Sequence, residues 1–177
     1  MRIHEQSTSG GFLTVSFDDG YLNQFTNAFP IMKKFGYHGV AFVITGLIGQ
    51  HFEGRSLMEV EHLNSLEAAG WEIGSHSISH PYLTRLAPEA LTTELLKSKK
   101  WGEDSGFSME AMAYPYGDYN DLVEKKAGGL YKQCRTYLVG LNDNSLKNTL
   151  LRAVPLWEKI NECTRARWIR RRRRING

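Results

Sequence analysis

The run Leu13-Thr14-Val15-Ser16-Phe17 is apolar and β-branched, and it ends abruptly at Asp18-Asp19-Gly20. A short run of this kind, closed by a turn signal, is typical of a buried strand. A helical pattern follows over residues 22–35 and ends at Gly36, and a second strand candidate covers residues 40–44. The chain therefore begins with a strand, a helix and a strand, which is the unit from which parallel sheets are built.

The same alternation continues through most of the chain. Further strands are predicted at residues 71–74, 109–114 and 134–140, and further helices at residues 57–69, 88–101 and 121–127. Ser56 and Glu59 have the spacing of a capping box, which predicts that Ser56 is the N-cap of the helix over residues 57–69. The alternation predicts parallel strands joined by right-handed crossovers, either as an open α/β sheet or as a β/α barrel.

Length and composition are those of one globular domain. The chain has 177 residues, of which 41% are hydrophobic and 23% charged, so it can bury one substantial core. No segment approaches the roughly 20 apolar residues of a membrane span. No secretion signal precedes the first strand, so we expect a cytoplasmic protein, or a secreted or cell-envelope one if a leader was removed. Cys134 and Cys163 lie far apart, which argues against a disulfide scaffold or a cysteine-ligated zinc.

The basic residues are distributed unevenly. Seven of the 22 lysines and arginines lie in residues 165–174, and the other 15 are outnumbered by 19 acidic residues. We therefore divide the chain into a catalytic domain, residues 1–164, and an arginine-rich tail, residues 165–177. A charge run is usually a solvated end, although this tail could also contact a polyanion such as nucleic acid or an anionic membrane surface. Specific nucleic-acid recognition is not expected.

Polar clusters follow three of the predicted strands. They are Asp18-Asp19 after the first strand, His76 and His80 after the third, and Tyr114-Pro115-Tyr116-Gly117 after the fourth. Each cluster alone has a simpler explanation as a turn. The carboxyl ends of parallel strands share one face, however, and active sites are built there. The sequence therefore predicts that the three clusters converge.

The residue types in these clusters suit a catalytic metal. One carboxylate and two imidazoles give three ligands and leave a coordination position open, which is typical of catalytic zinc. Such a zinc lowers the pKa of water to about 7, and a second carboxylate can take the proton. Pro81 disfavours helix at His80, so the two histidines are expected on a loop. A non-haem iron oxygenase uses a similar ligand set and is the chemical alternative.

The motifs resemble those of the polysaccharide deacetylases, carbohydrate esterase family 4. Residues 16–20, Ser-Phe-Asp-Asp-Gly, are similar to the first family motif, and residues 76–80, His-Ser-Ile-Ser-His, to the second. The resemblance implies that Asp18 is the catalytic base and that Asp19, His76 and His80 bind the metal. Residues 113–120 resemble the third motif, in which the Tyr116 backbone N–H holds the oxyanion.

The chain departs from the family pattern in two places. Ala113 occupies the position where the third motif often has an arginine that orients the base, and residues 112–117 resemble the branch that acts on poly-N-acetylglucosamine. The later motifs have no clear match, and no histidine follows His80 to serve as the general acid. A catalytically impaired relative that binds metal and carbohydrate is therefore an alternative, and an arginine-tailed polyanion-binding module is another.

The resemblance implies a distorted (β/α) barrel. About five strands are predicted from the sequence, so an incomplete barrel is also allowed. It also implies a hydrolase of non-peptide amide bonds that removes N-acetyl groups from amino-sugar polymers or oligomers. The substrate-binding candidates are Tyr82, Pro115 and Tyr116, since aromatic side chains can stack on sugar rings. Zinc is the expected cofactor, with cobalt, nickel or manganese as substitutes. The oligomeric state is not predicted.

Overall fold

A computed structural model describes residues 13–156. The arginine-rich tail lies outside the described residues, so its proposed contact with a polyanion stays a prediction. The boundary between domain and tail at residue 164 stays a prediction for the same reason.

The described chain alternates strands with helices. The eight strands are β1 Val15–Phe17, β2 Gly39–Val43, β3 His51–Phe52, β4 Arg55–Ser56, β5 Glu72–Ser75, β6 Ala111–Ala113, β7 Gln133–Val139 and β8 Leu151–Ala153. The four α-helices are α1 Phe29–Lys34, α2 Val60–Ala68, α3 Pro88–Asp104 and α4 Asp121–Gly128, and a π-helix, Gln24–Ala28, leads into α1.

Six strands form one parallel sheet in the order β1-β2-β5-β6-β7-β8, and β3 pairs with β4 as a separate antiparallel hairpin. Every neighbouring pair in the larger sheet is parallel. Within residues 13–156, β1 and β8 are the outer strands and do not pair with each other. This is the incomplete (β/α) barrel expected from the sequence, with one more strand than was predicted.

The core lies between the sheet and its helices. All five residues of β2 are buried, as expected for a parallel strand covered on both faces. The helices contribute leucines at helical spacing, Leu63 and Leu66 from α2 and Leu91 and Leu95 from α3, all fully buried. This packing fixes the strands whose carboxyl ends carry the polar clusters.

Two local predictions need correction. The helix α2 begins at Val60, and its capping box joins Glu59 to His62. The prediction that Ser56 is the cap was wrong because Ser56 belongs to β4, where it pairs with His51. The hairpin was missed since strands of two residues are too short to show a periodicity. The strand β8 was missed because it has an exposed arginine at its centre and no apolar run.

The longest described helix is α3, with 17 residues. In residues 13–156, no helix combines the length and the apolar character that crossing a membrane requires.

Candidate active site

The three polar clusters converge at the carboxyl ends of the parallel strands, as predicted. Asp18 and Asp19 follow β1, His76 follows β5 directly, and residues 114–117 follow β6. The turn after β1 needs left-handed backbone at Asp19, with φ of 70°, and at Gly20, with φ of 80°. Aspartate and glycine tolerate this conformation better than most residues, so the Asp-Asp-Gly sequence directs the Asp19 side chain to the site.

Three side-chain atoms meet at one point. Asp19 Oδ1 lies 3.5 Å from His76 Nε2 and 3.4 Å from His80 Nε2. The two Nε2 atoms are 3.2 Å apart. These residues are the group of possible metal ligands found among the described residues.

The His76 ring is fixed by its other nitrogen. Nδ1 lies 2.8 Å from the carbonyl oxygen of Ala113, so Nδ1–H donates there and the Nε2 lone pair faces Asp19 and His80. Burial lowers the pKa of His76 to about 4 and also lowers that of His80. Both imidazoles are therefore neutral at pH 7, which is the form that binds a metal.

The carboxyl of Asp19 is also affected by its surroundings. Burial, and then the neighbouring charge of Asp18, raise its pKa to about 6. A partly buried carboxylate beside a second carboxylate is stabilised by a cation, since the cation offsets both the lost hydration and the repulsion.

The donor set fits a divalent metal ion. Ligands roughly 2.0–2.1 Å from a tetrahedral zinc lie about 3.3 Å from one another, and the three separations here are 3.2, 3.4 and 3.5 Å. Two neutral imidazoles and a carboxylate also suit cobalt, nickel or manganese. The side chains are thus already at the spacing that a bound ion requires.

The second histidine lies on a loop, in agreement with the prediction made from Pro81. Residues 77–82 contain no helical turn, and Ser77 and His80 have positive φ, 63° and 60°. Ser77 Oγ accepts a hydrogen bond from the His80 N–H at 3.1 Å. The loop folds back on itself and turns the His80 ring toward Asp19.

Arg135 of β7 contacts the other aspartate of the first cluster. Its Nη2 lies 2.6 Å from both carboxylate oxygens of Asp18. The side chains of Arg135 and Asp18 are only 12% and 22% exposed, so the pair is largely shielded from solvent. In the sheet, Arg135 is the register partner of Ala113 on the neighbouring strand. It therefore fills from β7 the place where the third motif often has its own arginine.

Sequence reasoning missed Arg135. The available signal was an arginine inside an otherwise uncharged predicted strand, residues 134–140, since a charge within a sheet needs a partner.

Aromatic rings surround His80. Tyr116 and Phe52 meet the His80 ring edge-on, with centroids 4.4 Å and 5.1 Å away. Tyr82 stacks on Tyr116 with centroids 4.1 Å apart and ring planes 10° apart. Tyr82 and Tyr116 are 41% and 42% exposed, whereas Pro115 is buried in its turn. The two tyrosines thus form an exposed aromatic surface beside the three candidate ligands.

The fold is an incomplete (β/α) barrel, and a carboxylate and two imidazoles converge at the carboxyl ends of its strands. This is the architecture of a β/α-barrel enzyme with a candidate metal site. Residues 5–131 match the sequence model of the polysaccharide deacetylase family. The chain belongs to the polysaccharide deacetylase family, which confirms the resemblance seen in its motifs.

Two relatives match this chain over about two thirds or more of its length. The chain is 30% identical over 129 residues to the putative polysaccharide deacetylase YxkH of Bacillus subtilis, an alignment that covers 72% of this chain and 44% of the relative. It is 30% identical over 131 residues to the poly-beta-1,6-N-acetyl-D-glucosamine N-deacetylase of Staphylococcus aureus strain MSSA476, covering 66% of this chain and 45% of the relative. The chain thus spans less than half the length of these two relatives.

The fold has a close counterpart among solved structures. Streptococcus pyogenes deacetylase PplD, solved in complex with acetate, superposes with a TM-score of 0.79 at 25% identity, over 87% of this chain and 68% of that one. This similarity confirms the incomplete barrel of the deacetylases.

Proposed function

We propose that this chain is a metal-dependent hydrolase that removes N-acetyl groups from amino-sugar polymers or oligomers containing N-acetylglucosamine. The observation that carries the proposal is the convergence of Asp19, His76 and His80 beside Asp18, whose carboxylate is held by Arg135. Membership in a family that includes a poly-N-acetylglucosamine deacetylase supports this substrate class.

In the proposed site Asp19, His76 and His80 hold one divalent cation, with zinc expected. The cation supplies Lewis acidity, which makes water more acidic and polarises the acetamide carbonyl. Asp18 is the general base that accepts the proton of the attacking water. Arg135 keeps the Asp18 carboxylate in one orientation through its paired hydrogen bonds.

Two further groups act on the substrate in this proposal. The Tyr116 backbone N–H donates a hydrogen bond to the acetamide oxygen as negative charge develops on it. Tyr116 is held at φ of 57° in the turn after β6. The exposed rings of Tyr82 and Tyr116 offer a flat apolar surface for a sugar ring.

A screen for acetate release tests the proposed function. The zinc-loaded chain is expected to release acetate from poly-β-1,6-N-acetylglucosamine or chitin oligomers, with peptidoglycan and simple acetyl esters as comparison substrates. Zinc and oligomer binding without acetate release would favour the catalytically impaired relative.

Removal of the metal is expected to abolish the activity. Dialysis against a chelator should reduce acetate release to background, and one equivalent of zinc should restore it, because the cation activates the water. Acetate release and metal content should be measured on the same samples. Activity that persists in protein shown to be metal-free would contradict metal dependence.

Arg135→Lys is expected to lower kcat by about 10- to 100-fold with little change in metal content, a usual effect of losing a group that orients a catalytic residue. Lysine keeps the positive charge but loses the planar guanidinium that fixes the direction of the two hydrogen bonds from Nη2 to the Asp18 carboxylate. Steady-state kinetics and elemental analysis give the two readouts. The matched control is Arg152→Lys on the neighbouring strand β8, where the arginine is exposed. An equal loss of kcat in both variants would show that the Asp18 contact is not the cause.

A further inference from the structure

Glu94 of α3 contacts the loop that carries His80. Its Oε2 accepts hydrogen bonds from the backbone N–H of Ile78 at 2.9 Å and of Ser79 at 3.1 Å. Its Oε1 accepts a third from Ser79 Oγ at 2.7 Å. Both carboxylate oxygens of Glu94 are therefore occupied by the loop.

The loop needs to be held because its backbone is strained. Ser77 and His80 adopt positive φ, 63° and 60°, although neither residue is glycine. Such conformations persist only where the surroundings determine them.

Contacts reach the loop from two sides. On one side, the Thr45 N–H donates to Ser77 O at 3.0 Å and the Gly46 N–H donates to Ile78 O at 2.9 Å. On the α3 side, Glu94 accepts the N–H groups of Ile78 and Ser79. The carbonyls of the loop are thus held mainly by backbone N–H groups, to which Thr45 Oγ1 adds a hydrogen bond to Ser77 O at 3.3 Å. The N–H groups of Ile78 and Ser79 are held by the side chain of Glu94.

The held loop connects two of the three candidate ligands. His76 is fixed at its own ring by Ala113, whereas His80 Nδ1 is buried without a hydrogen-bond partner among the described residues. The direction of the His80 ring is therefore set by the backbone of residues 77–80 and by the packing of Phe52 and Tyr116 against the ring, and not by a hydrogen bond at Nδ1. Any loosening of this backbone moves His80 Nε2 relative to His76 and Asp19.

We propose that Glu94 is a positioning residue that raises the metal affinity of the site by fixing the backbone between His76 and His80. The inference rests on the proposed metal site. Glu94 does not touch the ligand atoms, and it acts on His80 through Ile78 and Ser79.

Zinc affinity of the full chain, measured by competition with a chelating dye, tests the inference. Glu94→Ala is expected to weaken zinc binding by about 10- to 100-fold, the usual effect of losing an outer-shell partner. Alanine is a good helix former, so α3 itself should be preserved. Glu94→Gln should recover most of the affinity, because its amide oxygen can accept both N–H groups and its NH₂ can donate to Ser79 Oγ.

Two readouts separate positioning from a general loss of structure. The visible spectrum of the cobalt-loaded protein should change in Glu94→Ala, because the ligand field of the cobalt ion depends on the position of His80 Nε2. The melting temperature of the metal-free protein should change little, while its increase on adding zinc should shrink. Glu89→Ala, at an exposed position of the same helix, is the matched control and should bind zinc as the unaltered chain does.

Ser79→Ala gives a second test if Glu94→Ala does not fold, since it removes a single hydrogen bond at an exposed residue. It should weaken zinc binding by about 2- to 10-fold. Zinc binding by Glu94→Ala as tight as that of the unaltered chain overturns the inference, and so does an equal loss in Glu89→Ala. An unaltered chain that binds no zinc overturns the proposed metal site and the inference together, so the two failures are distinguishable.

Discussion

His76→Ala and His80→Ala are each expected to lower zinc affinity by well over 100-fold and to abolish acetate release. Loss of an outer-shell group typically costs about 10- to 100-fold, and loss of a ligand removes a bond to the ion itself. Among residues 13–156, the three candidate ligands are the whole contribution to the proposed site, so the two remaining groups would leave the ion largely solvated. Elemental analysis after gel filtration and dye-competition titration measure the effect.

The control for this experiment is His38→Ala. His38 is exposed and precedes β2, so it lies at the end of the sheet opposite to the candidate ligands. It should leave zinc affinity unchanged. If the His76 and His80 variants retain full metal content, the assignment of these histidines is wrong, whatever happens to the activity.

The sequence predicted the fold and the candidate ligands because both follow from short-range patterns. The strand before the first polar cluster is a recognisable apolar run, and parallel strands bring their carboxyl ends to one edge. Asp19, His76 and His80 could therefore be placed together without knowledge of the register. The position of His80 outside a helix also followed from a single neighbour, Pro81, although its positive φ of 60° did not.

The groups that hold these residues could not be predicted in the same way. Arg135 is 117 positions away from Asp18, and the contact depends on the register that places Arg135 beside Ala113. In the sequence, Ala113 looked like the loss of the arginine that orients the base. In the structure, Arg135 of the neighbouring strand β7 contacts Asp18 instead. A contact between side chains on different strands depends on the tertiary structure, and the periodicity of hydrophobic residues along the sequence does not reveal it.

Glu94 and Phe52 were missed for related reasons. Glu94 lies on an amphipathic helix where acidic residues normally face water, and only the path of the loop over α3 makes it a hydrogen-bond acceptor. Phe52 reaches the His80 ring from a strand of two residues, which is shorter than any pattern can identify. The residues around the site are thus placed by contacts between elements, which the sequence does not show. The candidate ligands lie at or near the ends of single strands, which the sequence does show.

Asp18→Asn is expected to lower kcat by about 10²- to 10⁴-fold, the usual contribution of a general base, and to leave zinc affinity nearly unchanged. Asparagine preserves the size of the side chain and can still accept a hydrogen bond from Arg135, but it cannot take a proton from water. Asp19→Asn should show the opposite pattern, with the larger loss in zinc affinity. Steady-state kinetics at saturating zinc and direct titration of each variant separate the two roles. Equal loss of metal in both variants would show that the two aspartates do not divide the roles in this way.

The combination of Asp18→Asn with Arg135→Lys tests whether Arg135 affects turnover through the Asp18 carboxylate. Arg135 donates to both oxygens of Asp18, so in the proposed mechanism its effect on turnover passes through that carboxylate. Once the base is lost, its orientation no longer matters, and the second substitution should lower kcat by less than about threefold, in contrast to the additive behaviour of independent sites. An Arg135→Lys effect of the same size in the Asp18→Asn background would mean that the guanidinium acts directly on the substrate. The double-mutant cycle in kcat, with zinc content measured for all four proteins, distinguishes these cases.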